Sequence, residues 1–167
     1  AAPRVSCYAP CGRLHTLDRI GLGRGVKPTR DVRVLRVADV HHRVVYDLYV
    51  AGRDRTLSLW SPRGGLRAAP ISLSTGVVVP NNGRSTVSVD VSARANDSVD
   101  VAVDGVPRIV LDDLAAARTS APRYVSAGVV ASNEPVSAFH EALAVRVAPA
   151  RTAADTGRTD RSAVVSN

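Results

Sequence analysis

Apolar and polar side chains alternate most regularly over residues 98–111. Val99, Val101 and Val103 are separated by polar or small residues, a period of two that is typical of a strand with one buried face. The Asp104-Gly105 pair that follows supplies the left-handed backbone of a tight turn. This stretch therefore predicts a β-hairpin.

The loop of this hairpin decides which residues of its second strand face the core. Val99 and Val101 share a face with Ile109 and Leu111 only if the loop holds an odd number of residues, because a shift of one residue turns every side chain over. We therefore expect either a three-residue loop, 104–106, or a β-bulge.

A second hairpin is predicted from residues 44–50 and 56–60. Its buried face pairs Leu48 with Leu59, because the leucines and valines then share one side of both strands. The opposite, polar face of this hairpin carries Asp47, Tyr49, Ser58 and Trp60. The only tryptophan of the chain is therefore out of phase with the apolar residues.

The remaining alternation predicts further strands and a phase slip near Leu35. These strands are expected at residues 31–40, 71–73, 86–91, 124–130 and 139–147, with at most one short helix, at residues 112–118.

We divide the chain into an irregular N-terminal segment (1–30), a β-sandwich domain (31–148) and a disordered tail or linker (149–167). The first segment is rich in Gly and Pro, and the last has few apolar residues to bury. The middle segment has the many short strands of an all-β, two-sheet antiparallel sandwich.

The chain carries a formal net charge of +7, with a pI of about 10.4. Its arginines are scattered, whereas nucleic-acid-binding modules concentrate cations on one face and interleave them with aromatic side chains. No apolar run approaches the roughly 18 residues of a membrane-spanning helix. We therefore expect neither a nucleic-acid partner nor a membrane span.

Cys7 and Cys11 are the only cysteines. They lack the second pair or neighbouring histidine that a zinc site needs, so a small disulfide loop is the preferred interpretation, and two unpaired thiols are the alternative. A disulfide would indicate an oxidising compartment. We expect a secreted, extracellular protein.

Five short runs carry a family resemblance. Residues 46–50, 56–61, 74–77, 101–105 and 124–129 together resemble secreted bacterial domains of the concanavalin A-like lectin/glucanase superfamily, near its laminin-G-like branch. The resemblance covers residues 31–148 and implies a jelly-roll sandwich, one face of which binds sugars in many members. It carries over no catalytic site.

Catalytic chemistry finds little support in the sequence. Glucanases of this superfamily use a Glu-x-Asp-x-x-Glu run, which this chain lacks, since its only glutamates are Glu134 and Glu141. No nucleophile elbow is present either. Whether the protein is an enzyme is left uncertain and the expected answer is no. The four histidines share no ligand spacing and are interpreted as surface or rim residues: His15, His41, His42 and His140.

Pairing Val89 with Val101 in the central sheet would set Asp90 opposite Asp100. Opposed carboxylates destabilise a sheet unless a cation neutralises them, so an arginine, solvent, a bound cation or a sugar hydroxyl would have to face the pair. The turn at Asn96 and Asp97 is a candidate calcium site, but two residues fall short of the six to eight ligands that calcium takes. We expect no cofactor.

The candidate ligand site is the polar face of the second hairpin. Trp60 and Tyr49 can stack on a sugar ring while Asp47 accepts hydroxyl hydrogen bonds. A second candidate site comprises Asp90, Asp100 and Tyr124.

Three functions were compared on this basis. The preferred one is a non-catalytic carbohydrate-binding or cell-surface interaction module, whose partner is a glycan or cell-surface polymer. The alternatives are a structural or adhesive domain that packs against other domains of a larger chain, and a polysaccharide-degrading enzyme.

Overall fold

The computed structural model describes residues 11–39, 41–62, 70–94, 99–111, 122–131 and 136–149. These ranges form eleven β-strands and no helix, and so contain no helix that could cross a membrane. In chain order the strands are β1 (Cys11–Leu22), β2 (Val32–Asp39), β3 (Val44–Val50), β4 (Thr56–Ser61), β5 (Ile71–Val78), β6 (Val87–Arg94), β7 (Val99–Val103), β8 (Val106–Leu111), β9 (Pro122–Ala131), β10 (Ala138–His140) and β11 (Ala144–Pro149).

The strands form two antiparallel sheets. The five-stranded sheet has the order β5-β4-β3-β2-β9, and the six-stranded sheet has the order β10-β1-β6-β7-β8, with β11 also paired to β1. The predicted all-β, two-sheet sandwich is therefore confirmed. The helix expected at residues 112–118 lies outside the described residues.

The valine-rich hairpin forms β7 and β8 at one end of the six-stranded sheet, where β8 is the edge strand. Val99, Val101 and Val103 are buried in the core between the sheets. Asp104 and Gly105 form a two-residue turn with φ of 51° and 79°. The register then shifts so that Val101 pairs with Ile109. The predicted bulge is confirmed.

The second hairpin, β3 and β4, has the predicted register. Leu48 pairs with Leu59, and both side chains are buried in the core. Asp47 is directly opposite Trp60. Because side chains alternate along a strand, Asp47, Tyr49 and Trp60 lie on the face of the five-stranded sheet that points away from the core.

The N-terminal segment corrects the expectation of irregular structure. β1 pairs with three other strands, although the sequence pattern did not predict it. Its inward positions include two polar side chains, Thr16 and Asp18. The sequence of β1 therefore lacks the alternation of apolar and polar residues that marks the other strands. The Thr16 hydroxyl lies 3.2 Å from that of the buried Tyr46, in the opposite sheet. Burial raises the pKa of Tyr46, and the hydrogen bond to Thr16 opposes that shift.

The predicted pairing of β6 with β7 is wrong by two residues. Val89 pairs with Val103 and Asp90 pairs with Ala102, so Asp90 and Asp100 are not opposed. A shift of two residues keeps every valine on the core side. The apolar pattern therefore specifies the face of these strands but does not distinguish the two registers.

Three further expectations fall on residues that the structure does not describe: Cys7, the turn at Asn96 and Asp97, and the tail beyond Pro149. The side chain of Cys11, in β1, is not described either. The disulfide and the proposed domain boundaries remain predictions.

Val101→Asp should unfold the domain. The substitution places a carboxylate at a core position that is 1% exposed, at a cost of several kcal/mol. Val78→Asp is the matched control, because Val78 is 48% exposed, and it should change the free energy of unfolding by less than about 0.5 kcal/mol. Urea denaturation followed by circular dichroism measures both. A cooperative Val101→Asp transition near that of the wild type would contradict the core assignment.

Candidate functional site

A β-bulge in β2 places two arginines side by side. Arg33 pairs with Tyr49, Leu35 pairs with Leu48, and Arg36 pairs with Asp47, so Val34 is an extra residue. Three residues apart in a regular strand, the two arginines would point to opposite faces. The bulge is the phase slip predicted near Leu35, and it turns both arginines away from the core.

We call this surface the arginine face. It is the outer face of the five-stranded sheet, and it is defined by Arg33, Arg36, Asp47, Tyr49 and Trp60. Asp47 is fully buried, Tyr49 is 8% exposed and Trp60 is half-buried. The hairpin side expected to be an open polar surface is therefore largely covered.

Asp47 fixes Arg36 through two hydrogen bonds. Nε of Arg36 donates to Oδ1 of Asp47 and Nη2 donates to Oδ2, each at 2.8 Å. Such a planar, bidentate pair defines the guanidinium orientation as well as its position. The hydrogen bond to Asp47 raises the pKa of Arg36, burial acts against that shift, and the charge of Asp47 adds to it.

Aromatic rings hold Arg33. Its guanidinium carbon lies 4.5 Å from the centre of the Tyr49 ring and 5.1 Å from the centre of the Trp60 ring, within cation–π range. Nε of Arg33 is 3.7 Å from Oδ2 of Asp47, too far for a hydrogen bond. Trp60 and Tyr49 therefore support an arginine.

One nitrogen of Arg33 is unsatisfied. Among the described residues, Nη1 of Arg33 is buried and has no hydrogen-bond partner. A buried donor without a partner costs about 1–3 kcal/mol, and native structures contain few of them. The cluster also sets two guanidinium groups against the single carboxylate of Asp47. The cluster therefore carries one positive charge more than its carboxylate neutralises.

Tyr124 also lies on the outer face of the five-stranded sheet. It is two residues from Ser126 in β9, and Ser126 pairs with Arg36. The ring of His42 stacks on it, with ring centres 4.4 Å apart. The structure therefore brings Tyr124 to the same side of the sandwich as Asp47, Tyr49 and Trp60.

Asp90 and Asp100 lie elsewhere. Both are on the outer face of the six-stranded sheet, where Asp90 contacts His15 and Asp100 pairs with Ser92. The second candidate site is therefore divided, because Tyr124 is on the opposite side of the sandwich. Among the described residues, no group of three or more His, Cys, Asp or Glu side chains is placed to hold a metal ion.

Two features of the site were missed at the sequence level. Arg33 and Arg36 were not singled out, because scattered arginines fill the whole sequence; the phase slip near Leu35 was the available signal. His140 was interpreted as a surface or rim residue, but its side chain is only 10% exposed and it contacts the buried Asp18. That interpretation is corrected.

The fold matches known structures, although no protein-family model and no curated protein sequence matches the chain. An alginate lyase, AlyC3, in complex with dimannuronate has a TM-score of 0.60 at 14% identity, over 86% of this chain and 68% of that one. The alginate lyase PA1167 from Pseudomonas aeruginosa has a TM-score of 0.63 at 12% identity, over 81% and 65%. Alginate lyase A1-II', a member of polysaccharide lyase family 7, has 0.62 at 9%, over 86% and 66%.

These likenesses show the jelly-roll sandwich fold, which fits the superfamily expected from the sequence, and they do not show the laminin-G-like branch. The chain spans about two thirds of the length of these structures. They also correct the expected function. A non-catalytic carbohydrate-binding module, and a structural or adhesive domain, are both contradicted by neighbours that are polysaccharide-degrading enzymes.

Asp47→Asn should destabilise the fold and disorder Arg36. The amide retains the shape of the carboxylate but has only one oxygen to accept the two guanidinium donors, and we expect a loss of about 2 kcal/mol or more. Glu141→Gln, at an exposed position, is the matched control and should be near neutral. Chemical denaturation measures both free energies. Equal stability of the two variants would show that the Asp47–Arg36 pair contributes nothing.

Proposed function

We propose that this chain is a polysaccharide-degrading enzyme domain of the lyase type, and that it acts on an anionic, uronate-containing polysaccharide at the arginine face. The unsatisfied, buried Nη1 of Arg33 beside a second arginine is the observation that carries the proposal. The alginate lyases among the structural neighbours support the reaction class.

The charge of the arginine face fits a carboxylated sugar. Arg33 and Arg36 together exceed the charge of Asp47 by one, and guanidinium groups bind carboxylates through parallel hydrogen bonds. Asp47 already accepts from Arg36 through both oxygens, so it acts by orienting the arginine. Tyr49 and Trp60 act in the same way on Arg33, and Trp60, being half-buried, offers its remaining surface to a sugar ring.

Elimination from a uronate needs two things of the protein. A cation must neutralise the carboxylate, which makes the hydrogen on the adjacent carbon acidic. A base must then accept that proton while the glycosidic carbon–oxygen bond breaks, a carbon–carbon double bond forms, and the leaving oxygen takes up a proton. In the described residues of this face, the phenols of Tyr49 and Tyr124 and the imidazole of His42 are the groups available for proton transfer.

A secreted location accompanies this proposal. A polysaccharide substrate is outside the cell, and the predicted Cys7–Cys11 disulfide would form in an oxidising compartment. The glycan is the proposed partner, as substrate.

Arg33→Gln should reduce cleavage and binding of an anionic polymer and leave the fold intact. Loss of a charge-assisted hydrogen bond predicts affinity weaker by about tenfold or more. Polymannuronate and a neutral β-glucan are compared, with product formation read from the ultraviolet absorbance of the unsaturated sugar and affinity from calorimetry. Arg108→Gln, at an exposed position in β8, is the control and should behave like the wild type. Preference for the neutral glucan, or no cleavage of any of a panel of uronate polymers, would contradict the proposal.

Tyr49→Phe and Tyr124→Phe identify the proton-transferring group. Each substitution removes only a hydroxyl, so the catalytic phenol should lose about a hundredfold or more in kcat with little change in KM. The other variant serves as its control. Full kcat in both variants would exclude the two phenols and leave His42 as the group to test.

A further inference from the structure

His140 fills a gap between β2 and β9. Arg33 pairs with Ala131 and Leu35 pairs with Ala127, so the ladder skips Val34 on one strand and residues 128–130 on the other. The His140 ring lies against the interruption in β9: the Gly128 N–H donates to Nε2 at 2.8 Å, and the Gly128 carbonyl oxygen is 3.2 Å from the same nitrogen. The same bulge sets the direction of Arg33.

Nδ1 of His140 contacts Asp18 of β1, whose side chain is 2% exposed. The pair therefore links the two sheets, since β1 belongs to the six-stranded sheet and Gly128 to the five-stranded one. Burial lowers the pKa of His140, but the hydrogen bond and charge of Asp18, with the Gly128 and Val34 backbone hydrogen bonds, outweigh burial and raise it overall.

Nε2 cannot serve all of its partners at once. In the neutral ring, Nδ1–H donates to Asp18 and Nε2 is free to accept from the Gly128 N–H. In the protonated ring both nitrogens are donors, so Nε2–H donates to the Gly128 carbonyl and the Gly128 N–H loses its acceptor. The charge of His140 therefore selects which backbone group in the gap is held.

We infer that His140 is a positioning residue whose protonation fixes the Gly128 backbone opposite the Val34 bulge and thereby sets the orientation of Arg33 and Arg36 on the arginine face. The backbone exchange follows from the contacts alone, whereas its consequence for substrate rests on the proposed function. Protonated His140 holds the Gly128 carbonyl opposite the bulge, so substrate affinity should be highest at low pH and fall as pH rises through the pKa of His140.

The neighbouring charges favour this assignment. On β1 the group facing His140 is Asp18, and Arg19 is on the opposite side of that strand; Glu141 is the exposed neighbour on its own segment. Arg33 and Arg36 point to the far side of the five-stranded sheet. Arginine stays protonated at all pH values used, so Arg33 and Arg36 do not titrate. The other ionisable groups on that side of the five-stranded sheet include Asp47, paired with Arg36, and His42, stacked on Tyr124.

The direction of the stability effect also follows. A pKa raised above the ordinary value of about 6.5 means that the folded state binds the proton more tightly than the unfolded chain. The stabilisation is complete below that value and is lost as pH rises through the folded pKa.

The test is a pH titration by nuclear magnetic resonance of the protein without ligand. The His140 ring, the Gly128 amide and the Arg36 Nε–H should titrate with one midpoint. Asp18→Asn should lower that midpoint, because it removes the facing charge. His140→Gln, which cannot be protonated, should leave the Gly128 and Arg36 signals independent of pH.

His15→Gln is the matched control. His15 forms the other histidine–aspartate pair among the described residues, with Asp90 on the outer face of the six-stranded sheet. This variant should titrate like the wild type at Gly128 and Arg36. A Gly128 amide or Arg36 Nε–H that does not follow His140, or an effect of His15→Gln equal to that of His140→Gln, would overturn the inference.

Affinity for an oligomannuronate, measured across the same pH range, separates this inference from the proposed function. Wild-type affinity should fall about fivefold through the midpoint, and His140→Gln should show no such fall. Co-titration of Gly128 and Arg36 without binding of any uronate oligomer would refute the proposed function and support the positioning role. Binding that is independent of pH would overturn the coupling.

Discussion

The β-bulge at Val34 is the constraint on which the arginine face depends. A regular strand would direct either Arg33 or Arg36 into a core built of valine and leucine, where an unpaired charge costs several kcal/mol. One inserted residue removes that conflict and sets both guanidinium groups over Asp47 and Tyr49. The same insertion interrupts the ladder to β9, and the Gly128 N–H in that gap donates to His140. The bulge in β2 thus links the outer face of the five-stranded sheet to His140, an inward-facing residue of the six-stranded sheet.

Arg33 and Arg36, the two cations of the arginine face, are held in place by different kinds of interaction. Arg36 is held by the two oxygens of a fully buried carboxylate, and Arg33 is held by two aromatic rings. Arg33 consequently retains one nitrogen without a hydrogen-bond partner among the described residues. A second carboxylate in place of the aromatic rings would have neutralised the cluster. The chain as a whole carries +7, but scattered charge provides only weak, screened attraction. The oriented pair is what can recognise a planar carboxylate.

The jelly-roll fold and the chemistry of the arginine face are separate arguments for function. At 9–14% identity the alginate lyases establish the sandwich and leave the site to be argued from this chain's own residues. The proposed acidic polysaccharide rests on the second argument, since a cationic, aromatic-supported face suits a uronate. The two histidine–aspartate pairs show why position matters. The His15–Asp90 pair lies on the outer face of the six-stranded sheet. The His140–Asp18 pair is buried, and His140 also accepts a hydrogen bond from Gly128 in the five-stranded sheet.

Alternation of valines and leucines was sufficient to predict the two hairpins, the Leu48–Leu59 register and the irregularity near Leu35, because those features depend on neighbours close in sequence. β1 was not predictable, since Thr16 and Asp18 occupy inward positions and their partners, Tyr46 and His140, are distant in the chain. The register of β6 against β7 was ambiguous because a shift of two residues preserves the buried face. The clustering of Arg33, Arg36 and the aromatic residues was decided only by tertiary structure. β2, β3 and β4 must pair in register before these side chains share one surface. The alternation of apolar residues within single strands does not specify how three strands come together.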